Sequence, residues 1–230
     1  MEPRKPVNLD PRAVALLEWM GAQQWAGLVV LGGGVALKHY LDYRGTKDCD
    51  AWWHREAPSP QRQQIVAEIS EALLRFNSGH TIKHDRWGDV DSLKVMRGAR
   101  AVFSFQIADR SVQLEPYLPT GWGGVLIESL RENVAAKINA LVARGAGRDF
   151  RDVYEMHHQL GFTLTELWQL WKVKNSEGSV PDAKKLARLH LEGICLRRPL
   201  ETITDAQERA GAATVRDWYF KTFLTDVAGN

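Results

Sequence analysis

The sequence predicts an α+β fold, in which a mixed sheet with flanking helices is followed by a helical C-terminal part. Three observations lead to this prediction. A short apolar run enters three consecutive glycines and continues as an amphipathic helix. Between residues 80 and 117 the apolar residues recur with a period of two, which is typical of strands, and beyond Gly124 they recur at helical spacing. We therefore expect an α+β core over residues 1–124 and a helical region over residues 125–230.

The composition is that of a globular protein without a membrane segment. With 230 residues, 44% of them hydrophobic, the chain can bury a substantial core, and its formal net charge of +2 does not by itself favour nucleic acid as a partner. The first ten residues are polar and no run of about 18 apolar residues occurs, so we expect a cytoplasmic protein. The two cysteines and the absence of zinc-ligand spacing predict neither a disulfide framework nor a zinc site.

Local sequence patterns predict the helices and strands of the first half of the core. Asp10 followed by proline is typical of a helix start, and the apolar spacing continues that helix to about Gln24. Residues 27–43 predict a strand, a glycine turn and a helix. A second strand begins near Asp48, and another helix ends at Gly79.

The second half of the core alternates in hydrophobicity and predicts antiparallel strands. The expected turns are at residues 97–99 and 108–110. A further strand is expected over residues 111–117. A second Asp-x-Asp sequence, Asp89 and Asp91, has no glycine turn before it, and we interpret it as part of a loop.

The three glycines, Gly32, Gly33 and Gly34, form a candidate phosphate-binding turn. Glycine allows positive φ and lets a phosphate approach the backbone amides without a Cβ in the way. The N-terminus of the following helix adds a partial positive charge. A glycine-rich turn without any binding role is the alternative for this feature taken alone.

Two carboxylates in the second strand form a candidate metal site. Residues i and i+2 of a strand project to the same face, so Asp48 and Asp50 are expected to lie side by side while Cys49 points to the other face. Two adjacent negative charges repel unless a cation lies between them. Magnesium, with manganese as the alternative, fits two carboxylates best. The competing interpretation is a solvated strand end.

A third carboxylate would be expected on a neighbouring strand of such a site. Glu115, in the strand predicted over residues 111–117, is the best candidate for a third metal ligand. A surface glutamate beside a strand end is the alternative.

The order and spacing of these features resemble the DNA-polymerase-β-like nucleotidyltransferase superfamily, and most closely the AbiEii-type toxins of abortive-infection systems. In that family Gly-Gly-Ser/Thr-Ala-Leu is followed by a helix and by Arg-x-Ser/Thr-x-Asp-x-Asp. Allowing a one-residue slip around Val35, the matching residues are Gly32, Gly33, Ala36, Leu37, Arg44, Thr46, Asp48 and Asp50. One position departs from the pattern, because Gly34 stands where the family usually carries a hydroxyl residue near the phosphates.

A second stretch resembles later motifs of the same family, Lys-Leu/Ile-x-Ala-Leu-x-x-Arg followed by Arg-Asp-x-x-Asp-Leu/Val. The matching residues are Lys137, Ala140, Leu141, Arg144, Arg148, Asp149, Asp152 and Val153. The resemblance implies that Lys137 neutralises the triphosphate and that Arg144 and Arg148 assist it. It also implies that Asp149 or Asp152 orients the lysine or contacts the nucleotide.

These observations predict a metal-dependent nucleotidyltransferase that moves a nucleoside monophosphate from an NTP to an acceptor hydroxyl. The resemblance implies an RNA acceptor, foremost a tRNA 3′ end, and an antitoxin protein as a partner. A protein-modifying transferase and a nucleotide-binding module with little catalysis are the alternatives. Basic residues of the C-terminal part are candidates for an RNA surface, and a solvated helical face is the alternative. Trp168 and Trp171 are candidates for stacking on bases there, and core packing is the alternative. These basic residues are Lys172, Lys174, Lys184, Lys185, Arg188, Arg197 and Arg198.

Overall fold

Seven strands in the described part of the chain form one mixed sheet. The computed structural model describes residues 1–110 and 112–225. The strands are β1 (Val29–Gly32), β2 (Asp48–Trp53), β3 (Thr81–Trp87), β4 (Val90–Arg97), β5 (Arg100–Ala108), β6 (Leu118–Pro119) and β7 (Leu126–Ile127). Their order in the sheet is β3-β4-β5-β2-β1-β7-β6. The pairs β2/β5 and β1/β7 are parallel and the other neighbours are antiparallel, which confirms the predicted mixed sheet.

Eight α-helices accompany the sheet within the described ranges. They are α1 (Pro11–Gly21), α2 (Gly33–Lys38), α3 (Ser59–Phe76), α4 (Leu130–Ala143), α5 (Gly147–Leu160), α6 (Leu164–Lys174), α7 (Val180–Arg197) and α8 (Ala206–Trp218). The chain divides into two compact units, Met1–Asn133 and Val134–Asn230. This division falls inside α4, whereas the predicted boundary at residue 124 precedes that helix. None of the described helices is long and apolar enough to cross a membrane.

The core of the first unit lies between one face of the sheet and the helices α1 and α3. The α1 helix begins as predicted, because the Asp10 side chain accepts a hydrogen bond from the Arg12 amide at 2.9 Å and Pro11 occupies the first turn. Its apolar face and that of α3 join Cys49 and Phe105 of the sheet in a continuous cluster. Leu16 is completely buried there. Its truncation to alanine would cost about 2–5 kcal/mol.

Residues 112–117 are not a strand, so the prediction over 111–117 is wrong for its described part, and Ser111 lies outside the described residues. The backbone amides of Leu114 and Glu115 do not enter a ladder. Both instead donate to a carboxylate oxygen of Glu132, at 2.5 and 3.3 Å. A side-chain acceptor thus replaces the partner strand that alternation alone would suggest.

Two further expectations differ from the structure in this region. The expected helix after Gly124 begins only at Leu130, because residues 126 and 127 pair with β1 as β7. The Ser129 hydroxyl accepts a hydrogen bond from the Glu132 amide at 3.1 Å, as a residue before a helix does. Asp91 lies within β4 rather than in a loop, and only Asp89 occupies the turn after Gly88.

The second unit is helical in its described residues. Thr163 and Glu166 form a capping box at the start of α6, since each side chain accepts a hydrogen bond from the other residue's amide, at 2.8 and 3.2 Å. Tyr219 is buried, packs edge-on against Phe150 and donates its hydroxyl to the Phe150 carbonyl at 2.8 Å. These contacts tie the C-terminal segment to α5.

Candidate active site

The glycine turn joins β1 to α2, and two of its glycines have no room for a side chain. Gly33 has φ of +57°, and a Cβ there would lie 2.1 Å from Oδ2 of Asp50. A Cβ at Gly32 would lie 2.1 Å from Nε1 of Trp52. The backbone of the turn is therefore in direct contact with the side chains of β2, which confirms the predicted strand-turn-helix arrangement and explains the glycines.

The β2 strand presents Asp48 and Asp50 on one face, as predicted. Its residues alternate between half-buried and buried positions, and Gly32 pairs with Asp50 in the register. Oδ1 of Asp48 accepts a hydrogen bond from the Ser104 hydroxyl at 2.7 Å. Cys49 is completely buried on the opposite face. Burial, reinforced by the two neighbouring carboxylates, raises the pKa of the Cys49 thiol, so this cysteine stays protonated and is no nucleophile.

The loop between α2 and β2 folds back over the third glycine. A Cβ at Gly34 would lie 3.3 Å from Oγ1 of Thr46 and 3.8 Å from a terminal nitrogen of Arg44. The buried Lys38 fixes this loop, because its ammonium binds the Asp42 carboxylate and donates to the Arg44 carbonyl at 2.7 Å. The glycines, Arg44, Thr46 and the two aspartates are thus brought together, as their common motif predicts.

Glu115 does not join this group. It lies in a loop, where Oε1 is 3.0 Å from Nε of Arg131 and Oε2 accepts from the Ser129 hydroxyl at 2.6 Å. Among residues 1–110 and 112–225 no three Asp, Glu, His or Cys side chains are placed to hold a metal ion. The structure therefore gives Glu115 an ion pair with Arg131 instead of the predicted place as a third ligand beside Asp48 and Asp50.

The neighbouring strand carries neutral polar residues where a third carboxylate would be expected. In the parallel register of β2 and β5, Asp48 lies opposite Ser104 and Asp50 opposite Gln106. These two side chains share the face of the carboxylates. They supply hydrogen-bonding groups without adding a third negative charge.

The second unit holds the other motif residues in two ion pairs. The ammonium of Lys137 lies 2.7 Å from Oδ2 of Asp152, and both side chains are buried. Arg144 binds the buried Asp149 through two parallel hydrogen bonds of 2.9 Å. Asp149 also accepts from the Ala146 amide at 3.1 Å and so caps α5. Of the two aspartates, Asp152 is therefore the one that forms an ion pair with Lys137, while Arg148 is exposed.

The two tryptophans proposed for base stacking are core residues. Trp168 and Trp171 are only 7% and 5% exposed, and Trp168 stacks on Phe223 with ring centroids 4.8 Å apart. Several of the predicted basic surface residues bind groups of their own unit. Lys172 donates to the carbonyls of Ser176 and Gly178, and Lys184 donates to the Thr225 carbonyl. The alternative of core packing is thus correct for both tryptophans.

A buried charged cluster that was not predicted from the sequence lies beside the glycine turn. Arg110 lies between two completely buried carboxylates, 2.6 Å from Oε2 of Glu128 and 3.0 Å from Oε1 of Glu132. Trp52 donates its indole N–H to Oε2 of Glu128 at 3.1 Å. Asn133 donates to the Gly33 carbonyl at 2.9 Å and also to Oε1 of Glu128. No short motif marks these residues. The one available signal was the apolar run at residues 125–127, which precedes Glu128 as a strand would.

Comparison with known proteins agrees with this geometry. The sequence matches the family of nucleotidyl transferase AbiEii toxins, described as belonging to type IV toxin–antitoxin systems, over residues 15–213. The chain belongs to the AbiEii family. The resemblance predicted from the two motif stretches is therefore confirmed, and with it membership in a family of nucleotidyl transferases.

Further comparisons add little to the AbiEii assignment. No curated protein matches the chain. Among solved structures, the Megavirus polyadenylate synthase is similar at 10% sequence identity and a TM-score of 0.40, over 98% of this chain and 53% of that one. This AbiEii chain thus spans about half the length of the viral enzyme.

Proposed function

We propose that this AbiEii protein transfers a nucleoside monophosphate from an NTP to an acceptor hydroxyl of RNA, foremost a tRNA 3′ end. The observation that carries the proposal is the contact between Asp50 and the backbone of Gly33, with Asp48 beside Asp50 on the same face of β2. This contact brings a carboxylate pair and the backbone of a glycine turn at the start of α2 into one place. Carboxylates that bind a cation and amides that bind phosphate are what a nucleotide triphosphate requires.

The donor set fits magnesium, with manganese as the alternative. Mg²⁺ is commonly held by one or two carboxylates together with substrate phosphates, so Asp48 and Asp50 suffice as protein ligands. When bound, the ion would offset negative charge on the phosphates and polarise the reacting groups. Ser104 supports this assignment, because its hydroxyl donates to Oδ1 of Asp48 and so fixes the orientation of that carboxylate.

The chain's own residues would bind and orient the triphosphate. The amides of Gly32, Gly33 and Gly34 would donate to its outer phosphates. Lys137, held by Asp152, would neutralise charge on it, and Arg144, held by Asp149, and Arg148 would assist. Arg44 and Thr46, which lie beside Gly34, would contact the nucleotide at the turn.

The transfer itself is an in-line substitution at the α-phosphorus. The oxygen of the acceptor hydroxyl forms a bond to that phosphorus, the bond to the β-phosphate oxygen breaks, and pyrophosphate leaves. The hydroxyl proton passes to water. The family description as a toxin of type IV toxin–antitoxin systems further supports an antitoxin encoded with this protein, and the reaction is expected in the cytoplasm.

Labelled substrates test the proposal directly. The protein is incubated with Mg²⁺, each α-labelled NTP in turn, and total RNA together with total protein, and pyrophosphate release is measured. The products are then digested with RNase or with protease. Label removed by RNase supports the RNA acceptor. Label removed only by protease would show a protein-modifying transferase, and nucleotide binding without pyrophosphate release would show a binding module.

Substitution of the two carboxylates tests the site, and the second Asp-x-Asp sequence provides a matched control. Asp48→Asn and Asp50→Asn should each abolish transfer without lowering the melting temperature of the metal-free protein, because removing one of two adjacent negative charges relieves their repulsion. Asp89→Asn changes an exposed carboxylate of the other Asp-x-Asp sequence and should leave transfer intact. Equal loss in all three variants would contradict the assignment of the site.

A further inference from the structure

The buried cluster beside the glycine turn links Glu128 to the turn through the amide group of Asn133, which donates to both. Glu128 follows β7 and is completely buried, with one carboxylate oxygen taken by Arg110 and Trp52. Its other oxygen, Oε1, accepts from Nδ2 of Asn133. The second hydrogen of Nδ2 goes to the carbonyl of Gly33 at 2.9 Å. The chain of contacts therefore leads from a buried carboxylate through one amide group to the turn.

The orientation of the Asn133 amide is dictated by its two partners. An ionised carboxylate and a backbone carbonyl are both acceptors, so only the NH₂ group of the amide can satisfy both. Rotating the amide by half a turn would place its oxygen, which has no hydrogen-bond partner among the described residues, against two other oxygens. Such a contact is strongly unfavourable for a completely buried group.

We propose that Asn133 is a positioning residue for the glycine turn and that Glu128 fixes the direction in which Asn133 donates. The peptide group is planar and trans, so the carbonyl of Gly33 and the N–H of Gly34 point in opposite directions. Holding the carbonyl toward Asn133 directs the Gly34 amide away from it. This inference rests on the proposed function, in which the amides of the turn receive the phosphates of the NTP.

The chain offers a matched pair of substitutions. Glu128→Gln keeps the shape of the side chain. Arg110 and Trp52 are both donors and hold the remaining amide oxygen, so the new NH₂ group faces Asn133. One of the two Asn133 contacts is then lost in either orientation of the Asn133 amide. Glu132→Gln removes an equally buried charge from the same Arg110, yet the contacts of Glu132 described above are to Arg110 and to the amides of Leu114 and Glu115. The two variants share the electrostatic change and differ in their effect on Asn133.

The first measurement is NTP affinity by equilibrium binding, alongside the unfolding midpoint in urea. Glu128→Gln is expected to weaken NTP binding tenfold or more, and Glu132→Gln less than twofold at a similar loss of stability. The double variant Glu128→Gln with Asn133→Asp restores a hydrogen bond between positions 128 and 133 but leaves no donor for the Gly33 carbonyl. Because it also sets a carboxylate oxygen against that carbonyl, it should keep both the weakened NTP binding and a lowered unfolding midpoint. Recovery of both, or equal weakening in the two single variants, would overturn the proposal.

The second measurement needs no nucleotide. Glu128→Gln should shift the Gly34 amide resonance of ¹⁵N-labelled protein and speed its hydrogen exchange, whereas Glu132→Gln should change it much less. An unchanged Gly34 amide overturns the positioning role even if NTP affinity falls. A changed Gly34 amide with unchanged NTP affinity overturns its relevance to binding. If the parent protein binds no NTP at all, the proposed function is refuted, and the Gly34 amide still decides whether Asn133 orients the turn.

Discussion

Replacing Gly33 by alanine tests the contact on which the active-site assignment depends. The added Cβ would lie 2.1 Å from Oδ2 of Asp50, whereas ordinary contacts begin at 3.4 Å, so the carboxylate must move by about 1 Å or more. A displacement of about 1 Å at a reacting group can lower the rate by about 100-fold. Positive φ at a non-glycine residue adds a cost of about 1–2 kcal/mol in stability.

The same substitution at Gly98 separates the effect of displacing Asp50 from the cost of positive φ. Its φ of +58° nearly equals that of Gly33, and nothing lies within 4 Å of an added Cβ in the turn between β4 and β5. Gly98→Ala should therefore lower the free energy of unfolding by about 1–2 kcal/mol, and Gly33→Ala by at least as much, because its Cβ also displaces Asp50. Only Gly33→Ala should lower pyrophosphate release by about 100-fold, measured at saturating NTP and acceptor. Full activity of Gly33→Ala, or the same loss in Gly98→Ala, would refute the role of the Asp50 contact.

Three further predictions address other parts of the protein. Lys137→Ala should weaken NTP binding tenfold or more, since a charge-assisted hydrogen bond contributes about 1.5–3 kcal/mol. Lys184→Ala, in the same unit, should leave NTP affinity unchanged. Equal NTP affinity of Lys137→Ala and the parent protein would remove Lys137 from the site. Gly34→Ser should bind NTP about threefold to tenfold more tightly than Gly34→Ala, because it adds a hydroxyl worth about 0.5–1.5 kcal/mol to the same Cβ. His39 accepts a hydrogen bond from the Trp122 indole at 2.8 Å, and burial lowers the pKa of His39. As the pH falls below about 6.5, His39 is protonated in the unfolded chain before it is protonated in the folded protein. The free energy of unfolding should therefore fall. Urea titrations at several pH values measure this fall, which His39→Gln should largely remove.

Sequence reasoning succeeded where the determining contacts are local. The alternation of β2 put Asp48 and Asp50 on one face because strand geometry alone decides it. The start of α1 followed from Asp10 and Pro11, which act on the adjacent backbone. The family motifs then added residues such as Lys137 and Asp152, which the structure pairs within one unit.

Sequence reasoning failed where a distant group decides the local conformation. The alternation of residues 112–117 predicts a strand. The amides of Leu114 and Glu115 instead bind Glu132, which lies 18 and 17 residues further along the chain. The strand β7 is only two residues long and exists because it pairs with β1. Asn133 reaches a turn 100 residues earlier, and no local pattern could indicate that contact. These misses share one cause, since single-sequence patterns carry no information on which distant groups meet.

The number of carboxylates at the site leads to a prediction about how metal and nucleotide bind. The neighbouring strand carries Ser104 and Gln106 opposite the two aspartates, and Glu115 is paired to Arg131. A cation would therefore be bound by Asp48 and Asp50, with no third carboxylate from these positions. Mg²⁺ prefers six oxygen ligands and is held weakly by two carboxylates unless phosphates complete its shell. Mg²⁺ alone should therefore bind weakly, and NTP should tighten Mg²⁺ binding by the same factor by which Mg²⁺ tightens NTP binding. Calorimetric titration of each in the presence and absence of the other measures both factors. Tight Mg²⁺ binding to the nucleotide-free protein, retained in Asp48→Asn, would show that other residues hold the ion and that the two-carboxylate site is wrong.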